Sequence, residues 1–98
     1  MKYNIIRTDK ADEGIRHTVL YLANHFGNEF ALEKLDYIEN TILLLEDNPY
    51  IGRRIDDNIY KYVMLNIKSV LYYEIHEDSN TIIIFDLKAF KENRRKND

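Results

Sequence analysis

The feature that most constrains this chain is a run of apolar residues at helical spacing. Ala31, Leu35, Ile38, Ile42 and Leu45 recur at intervals of four, three, four and three, and the charges fall mainly between them. A helix of about 3.6 residues per turn gathers such positions into one stripe. That stripe has to be buried, so the segment predicts an amphipathic helix packed on a core. Asn48-Pro49 ends it near Asp47, because proline disfavours helix in the residue before it. Upstream, Ile15, Val19, Leu22 and Phe26 mark the face of an earlier helix. Thr8 or Asp9 is its expected N-cap, Gly27 its C′ terminator, and Asn28 the cap of the next helix. So short a link predicts an antiparallel helical hairpin.

The remainder reads as β-structure. Residues 3–7 are β-prone and alternate, which predicts a short first strand. Residues 59–65, 70–76 and 81–90 predict three more, joined by Asn66-Ile67-Lys68-Ser69 and by Glu77-Asp78-Ser79-Asn80, polar links of hairpin length. Three strands joined this way form an antiparallel meander. The expected fold class is α+β, in the order β-α-α-β-β-β, with the helical hairpin packed on a small, twisted, mainly antiparallel sheet. Ninety-eight residues support one hydrophobic core, so the whole chain, 1–98, is read as a single domain.

Composition narrows the function. The chain has no cysteine, which excludes disulfides and thiolate metal sites. No stretch has the length of a membrane span, and the first residues, MKYNIIRTDK, lack the apolar run of a signal peptide. A soluble, cytoplasmic protein without membrane contact is expected. The formal net charge of −3 argues against a dedicated nucleic-acid binder, but the charges are unevenly placed. Between residues 29 and 47, Glu29, Glu33, Asp36, Glu39, Glu46 and Asp47 stand against Lys34 alone. The end of the chain reverses this, with Lys88, Lys91, Arg94, Arg95 and Lys96 against Glu92 and Asp98.

Three groups of residues can carry chemistry. In Pro49-Tyr50-Ile51-Gly52-Arg53-Arg54, Gly52 is expected to adopt a backbone conformation closed to other residues. Arg53 and Arg54 would then present guanidinium groups from a loop to phosphates or carboxylates, unless the segment is simply a solvated connection. The basic tail can bind a nucleic acid or an acidic partner, or only aid solubility. Lys61, Tyr62, Lys68, Tyr72 and Tyr73 can position a nucleotide by charge and stacking, or the tyrosines can be ordinary core and surface. No metal or cofactor is expected: His17 and His25 are eight residues apart, too far for a one-turn helical pair. His76, beside Glu74, Glu77 and Asp78, reads as part of a surface cluster.

These motifs, taken in order, resemble the RelE/ParE toxins of type II toxin–antitoxin systems. Tyr21-Leu22-Ala23, Phe26-Gly27 and Ala31, then Ile42, Leu45, Asn48-Pro49 and Gly52-Arg53, look like the helical hairpin and following loop of that family. Val70-Leu71-Tyr72-Tyr73-Glu74-Ile75 and Ile82-Ile83-Ile84, running into an arginine-bearing tail, look like its sheet. The resemblance spans nearly the whole chain. It implies growth arrest, neutralisation by a small cognate antitoxin laid over the toxin surface, and assembly as a homodimer or a toxin–antitoxin hetero-oligomer. Two targets are implied: DNA gyrase for ParE-like members, and mRNA in the ribosomal A site, cut without metal, for RelE-like ones. The ribonuclease reaction is attack of a ribose 2′-hydroxyl on the adjacent phosphate. It needs a base, an acid and positive charge at the phosphate. If the chain is a ribonuclease, the resemblance gives Lys61, Lys68 and Arg94 the catalytic roles. In either case it gives target binding to Arg53, Arg54, Lys91, Arg94 and Arg95. Lys91 stands where many relatives carry a histidine, and no tyrosine follows Tyr73. The Pro-x-x-Gly-Arg loop looks more like the ParE side. The expectation is therefore gyrase inhibition, with the ribosome-dependent endoribonuclease as the alternative and a non-toxic protein-binding module as the reading outside the family activity.

Overall fold

The computed structural model describes residues 2–90. Strand β1 (Asn4–Arg7) leads into helices α1 (Asp9–Phe26) and α2 (Asn28–Leu45). A 3₁₀ turn over Pro49–Ile51 follows, then strands β2 (Arg53–Asp56), β3 (Ile59–Met64), β4 (Ser69–His76) and β5 (Thr81–Ala89). The five strands form one sheet in the order β1-β5-β4-β3-β2. Every pairing is antiparallel except β1 with β5. The helical hairpin covers one face of this sheet, as the sequence predicts, with α1 lying along β5. That approach is close: a Cβ on Gly14 would stand 2.7 Å from the Leu87 carbonyl oxygen.

The helix boundaries follow from local chemistry. The Thr8 hydroxyl caps α1 by accepting the Ala11 N–H at 3.1 Å, and Asp9 and Asp12 place negative charge at its N-terminal dipole. A single residue, Gly27, joins the two helices at φ 98°, ψ 161°, a region nearly closed to residues with a Cβ. Its backbone N–H closes α1 on the Ala23 carbonyl, and α2 starts from Gly27 without a side-chain cap. Asn28 is therefore the first residue of α2 and not its cap: the reversal fits into one glycine, leaving no room for a separate capping residue.

The core forms where the apolar stripes meet the sheet. Ile15, Leu22, Ile38, Ile42 and Leu45 pack against Leu71, Tyr73, Ile75, Ile82, Ile84 and Leu87. Leu35 is half-buried, and Phe26 is 60% exposed beside Phe30 at the hairpin tip, where residues 24–29 are all exposed. The stripe therefore outruns the sheet that would cover it. Strand β4 alternates buried and half-buried along its whole length, with Leu71, Tyr73 and Ile75 toward the helices and Val70, Tyr72 and Glu74 toward the uncovered face.

One element departs from the sequence-derived order. Arg53–Asp56, expected as loop, is an edge strand paired with β3, with Ile55 as an extra bulged residue between the Arg54 and Asp56 pairings. All four of its residues are exposed. Two charged ends and a bulge give it no periodic signal, and only pairing with β3 makes it a strand.

Candidate cation surface on the open sheet face

The alternation of β3 sorts the residues that sequence reading grouped together. Arg53 pairs with Lys61, and Lys61 with Tyr72. Cross-strand partners share a face, so these three side chains form a row across β2, β3 and β4 on the face the helices leave uncovered. Tyr62 and Tyr73 belong to the opposite, helix-covered side, and Tyr73 is fully buried. The two arginines part in the same way. Arg53 joins the open-face row. Arg54 pairs with Tyr60 on the other side, and its Nε donates to the Asp57 carbonyl at 2.6 Å. Lys68 stands apart from both: it lies in the β3–β4 link, exposed, with left-handed backbone at φ 50°. Lys91, Arg94 and Arg95 lie outside the described residues.

The charges on this face are differently committed. Among the described residues, neither Arg53 nor Lys61 has a carboxylate within ion-pair distance. Lys88, which pairs with Val70 further along the sheet, lies 3.9 Å from the buried Asp86, whose other oxygen accepts the Leu87 N–H. Lys10 approaches the same carboxylate at 3.5 Å. Arg53 and Lys61 are thus the adjacent pair of cations available to an anionic partner, with the Tyr72 ring beside them.

The turn that precedes Arg53 is held from the other side of the sheet. The Tyr73 hydroxyl donates to the Pro49 carbonyl at 2.7 Å and accepts the Gly52 N–H at 3.1 Å. Burial pushes the Tyr73 phenol up to about 12, against a smaller opposing effect of the Gly52 N–H. Its ring stacks on Tyr60 at 5.7 Å, Tyr60 meets Tyr50 edge-on at 5.8 Å, and the Tyr50 hydroxyl donates to Glu77. Gly52 itself is extended, at φ −80°, ψ 177°, a conformation open to any residue. The expectation that it supplies an unusual backbone is therefore corrected: glycine is required here for space. A Cβ would stand 2.5 Å from the Tyr73 hydroxyl and 2.7 Å from the Lys61 carbonyl oxygen. Sequence reading missed this role of Tyr73. The strand alternation within Tyr72-Tyr73, which gives one ring to each face, is the signal that separates them.

At the far end of the sheet, Tyr50, Asp57, Tyr60, His76, Glu77 and Asp78 line an open cleft of about 430 Å³. His76 Nε2 lies 2.8 Å from Glu74 Oε1, so this histidine is engaged with a carboxylate, as the surface-cluster reading expects. None of the cations of the open-face row lines this cleft. Its carboxylates disfavour a phosphate. Among the described residues, no helix is long and apolar enough to cross a membrane.

Comparison with known proteins agrees with this architecture. Residues 5–92 match the family model described as ParE toxin of type II toxin-antitoxin system, parDE. Among solved structures, the chain is similar to one from the chromosomal ParDE toxin–antitoxin system of P. aeruginosa. The TM-score is 0.77 at 15% identity, over 90% of this chain and 96% of that one. It is also similar to a chain of the RelBE2 toxin–antitoxin complex of Mycobacterium tuberculosis (TM-score 0.68, 13% identity, 91% and 99% covered). A chain of the intact E. coli RelBE complex gives TM-score 0.63 at 12% identity, with 89% and 95% covered. At such identities these likenesses concern the fold. No curated protein matches the sequence.

Proposed function

This chain belongs to the ParE toxin family of type II toxin–antitoxin systems, and from that premise we propose that it arrests bacterial growth by inhibiting DNA gyrase and is neutralised by a small cognate antitoxin. The observation that carries the gyrase reading is the match to the ParE model across 88 of 98 residues, from 5 to 92. An inhibitor of this kind performs no bond-breaking step. It needs a binding surface on which a few anchors dominate, and Arg53 and Lys61 on the open sheet face are the candidates. Lys91, Arg94 and Arg95 extend the same positive character along the chain.

The antitoxin is an acidic, amphipathic segment that folds as it binds the groove between helical hairpin and sheet edge. Exposed Leu43, Leu44 and Ile51 offer apolar anchors near the end of α2. The acidic residues of the segment would meet the basic tail. Affinity should then fall with added salt and on replacing Arg94 and Arg95.

A second reading is favoured by the pairing of Lys61 with Tyr72. A cation beside a half-buried aromatic ring on the open face can hold a phosphate and stack a base, which suits a ribosome-dependent, metal-independent endoribonuclease. Two assays run side by side separate the readings. We expect the purified protein to inhibit gyrase supercoiling and to leave ribosome-bound mRNA intact. Arg53→Ala and Lys61→Ala should each raise the half-inhibiting concentration about tenfold. Codon-positioned cleavage of mRNA, abolished by Lys61→Ala with supercoiling untouched, would replace the gyrase reading with the ribonuclease. Normal growth at confirmed soluble expression would leave the non-toxic binding module.

A further inference from the structure

Strand β2 carries the arginine nearest the candidate target surface, yet little holds it. It is an edge strand of four exposed residues, paired on one side only and interrupted by a bulge. Such strands sit at the low end of local stability. The residue just before it, Gly52, is gripped by the Tyr73 hydroxyl, which also takes the Pro49 carbonyl. This hydroxyl therefore ties both ends of the 49–52 turn to the centre of the sheet. Gly52 completes the fit, because any side chain there would collide with that hydroxyl and with the Lys61 carbonyl oxygen. The turn thus lies flat against β3 at the residue that pairs with Arg53.

We propose that Tyr73 is a positioning residue for target binding: its buried hydroxyl, which touches no target, fixes the 49–52 turn and so sets Arg53 beside Lys61. This inference rests on the reading that Arg53 and Lys61 contact the target. Its physical basis is that a surface held in its bound geometry before binding loses less freedom on association. Without the hydroxyl the Gly52 N–H and the Pro49 carbonyl lose a shared partner, the turn lifts, and Arg53 samples positions away from Lys61. Core packing does not depend on the placement of β2, which contributes no buried residue to it.

The test is a double-variant cycle in the supercoiling assay, with Tyr73→Phe, Arg53→Ala and the two combined, alongside hydrogen exchange of the β2 amides. Thr41→Val serves as the control for loss of a buried hydroxyl elsewhere, since among the described residues Thr41 bonds the Tyr37 carbonyl within α2. Tyr73→Phe should raise the half-inhibiting concentration roughly five- to tenfold, speed exchange in residues 53–56, and leave exchange in the β4–β5 core unchanged. The combined variant should be no weaker than Arg53→Ala alone, because Tyr73 acts through that arginine. Thr41→Val should inhibit like the wild type. Multiplying effects of Tyr73→Phe and Arg53→Ala, or β2 exchange that ignores the loss of the hydroxyl, would overturn the proposal. If the wild type does not inhibit gyrase, the gyrase reading falls on that result alone. The positioning claim is then decided by exchange, and unchanged β2 exchange sinks it.

Discussion

The two edges of the sheet are each a four-residue strand, and Arg7 on β1 and Arg53 on β2 are used in opposite ways. On β1, Arg7 donates to both oxygens of Glu39 at 2.6 and 3.2 Å and to Asp12 at 2.9 Å. One guanidinium fork thus joins β1, α1 and α2, and the Glu39 hydrogen bond above all holds the Arg7 pKa above its ordinary value. The Tyr3 N–H adds a bond to the Glu46 carbonyl at the end of α2. On β2, all four residues are exposed, and among the described residues Arg53 has no carboxylate in reach. An arginine whose charge is already matched within the fold contributes to stability. One left unmatched on an open face is available to a partner. The same residue type on equivalent edges therefore marks which edge is scaffold and which is surface.

Four measurements bear on that contrast, and the largest effect is expected from the core behind both edges. Ile38 is fully buried, and Ile38→Ala should cost about 2–5 kcal/mol in urea unfolding. A loss well under 1 kcal/mol would mean that the α2 stripe is not the foundation both edges rest on. Next in size is a pH effect specific to the β2 side. Tyr73 stays neutral in the fold up to about pH 12, whereas an ordinary phenol in the unfolded chain ionises near pH 10. Its contribution is complete below pH 10. It is lost as the pH rises toward 12, by about 2–3 kcal/mol in all. Unfolding measured from pH 8 to 11 should show the decline, and Tyr73→Phe should flatten it. An unchanged slope in that variant would remove Tyr73 as the cause.

Arg7→Met tests the β1 side more directly. Breaking a half-exposed bridge to two carboxylates should cost about 1–2 kcal/mol, with supercoiling inhibition retained in the folded fraction. Equal stability with lost inhibition would reverse the roles assigned to the two edges. The smallest effect belongs to Arg53→Ala, which should change the unfolding free energy by less than about 0.5 kcal/mol while weakening inhibition. A large drop in stability would place Arg53 among the structural residues.

How much of this was legible depended on whether a residue's environment was local. The α2 stripe and the strands β4 and β5 are legible because their spacing records the surface they bury, and capping, settled within one turn, narrows to Thr8 or Asp9, of which the structure selects Thr8. Strand β2 did not read as a strand, since Arg53, Arg54, Ile55 and Asp56 carry no alternation and owe their conformation to β3. The sequence marks Gly52 for its backbone freedom, but its backbone is extended and open to any residue. The true constraint comes from Tyr73, 21 positions later, and no local pattern carries it. From sequence alone Lys61, Tyr62, Lys68, Tyr72 and Tyr73 form one group, which the structure divides. Strand periodicity assigns Lys61 and Tyr72 to one face and Tyr62 and Tyr73 to the other, and it leaves Lys68 in a turn.

The parallel pairing of β1 with β5 sets a timetable for the chain. Asn4 finds its partner at Thr81, so the sheet cannot close until the chain through β5 has left the ribosome. At about 5–20 residues per second, the first strand waits roughly 4–15 s for its neighbour. Until then, Arg7 can join α1 and α2 but has no completed edge to anchor. A nascent chain halted before Thr81 would carry the helical hairpin without the strand on which α1 lies. The native sheet would thus arise only once β5 has emerged, 77 positions behind the strand it pairs with.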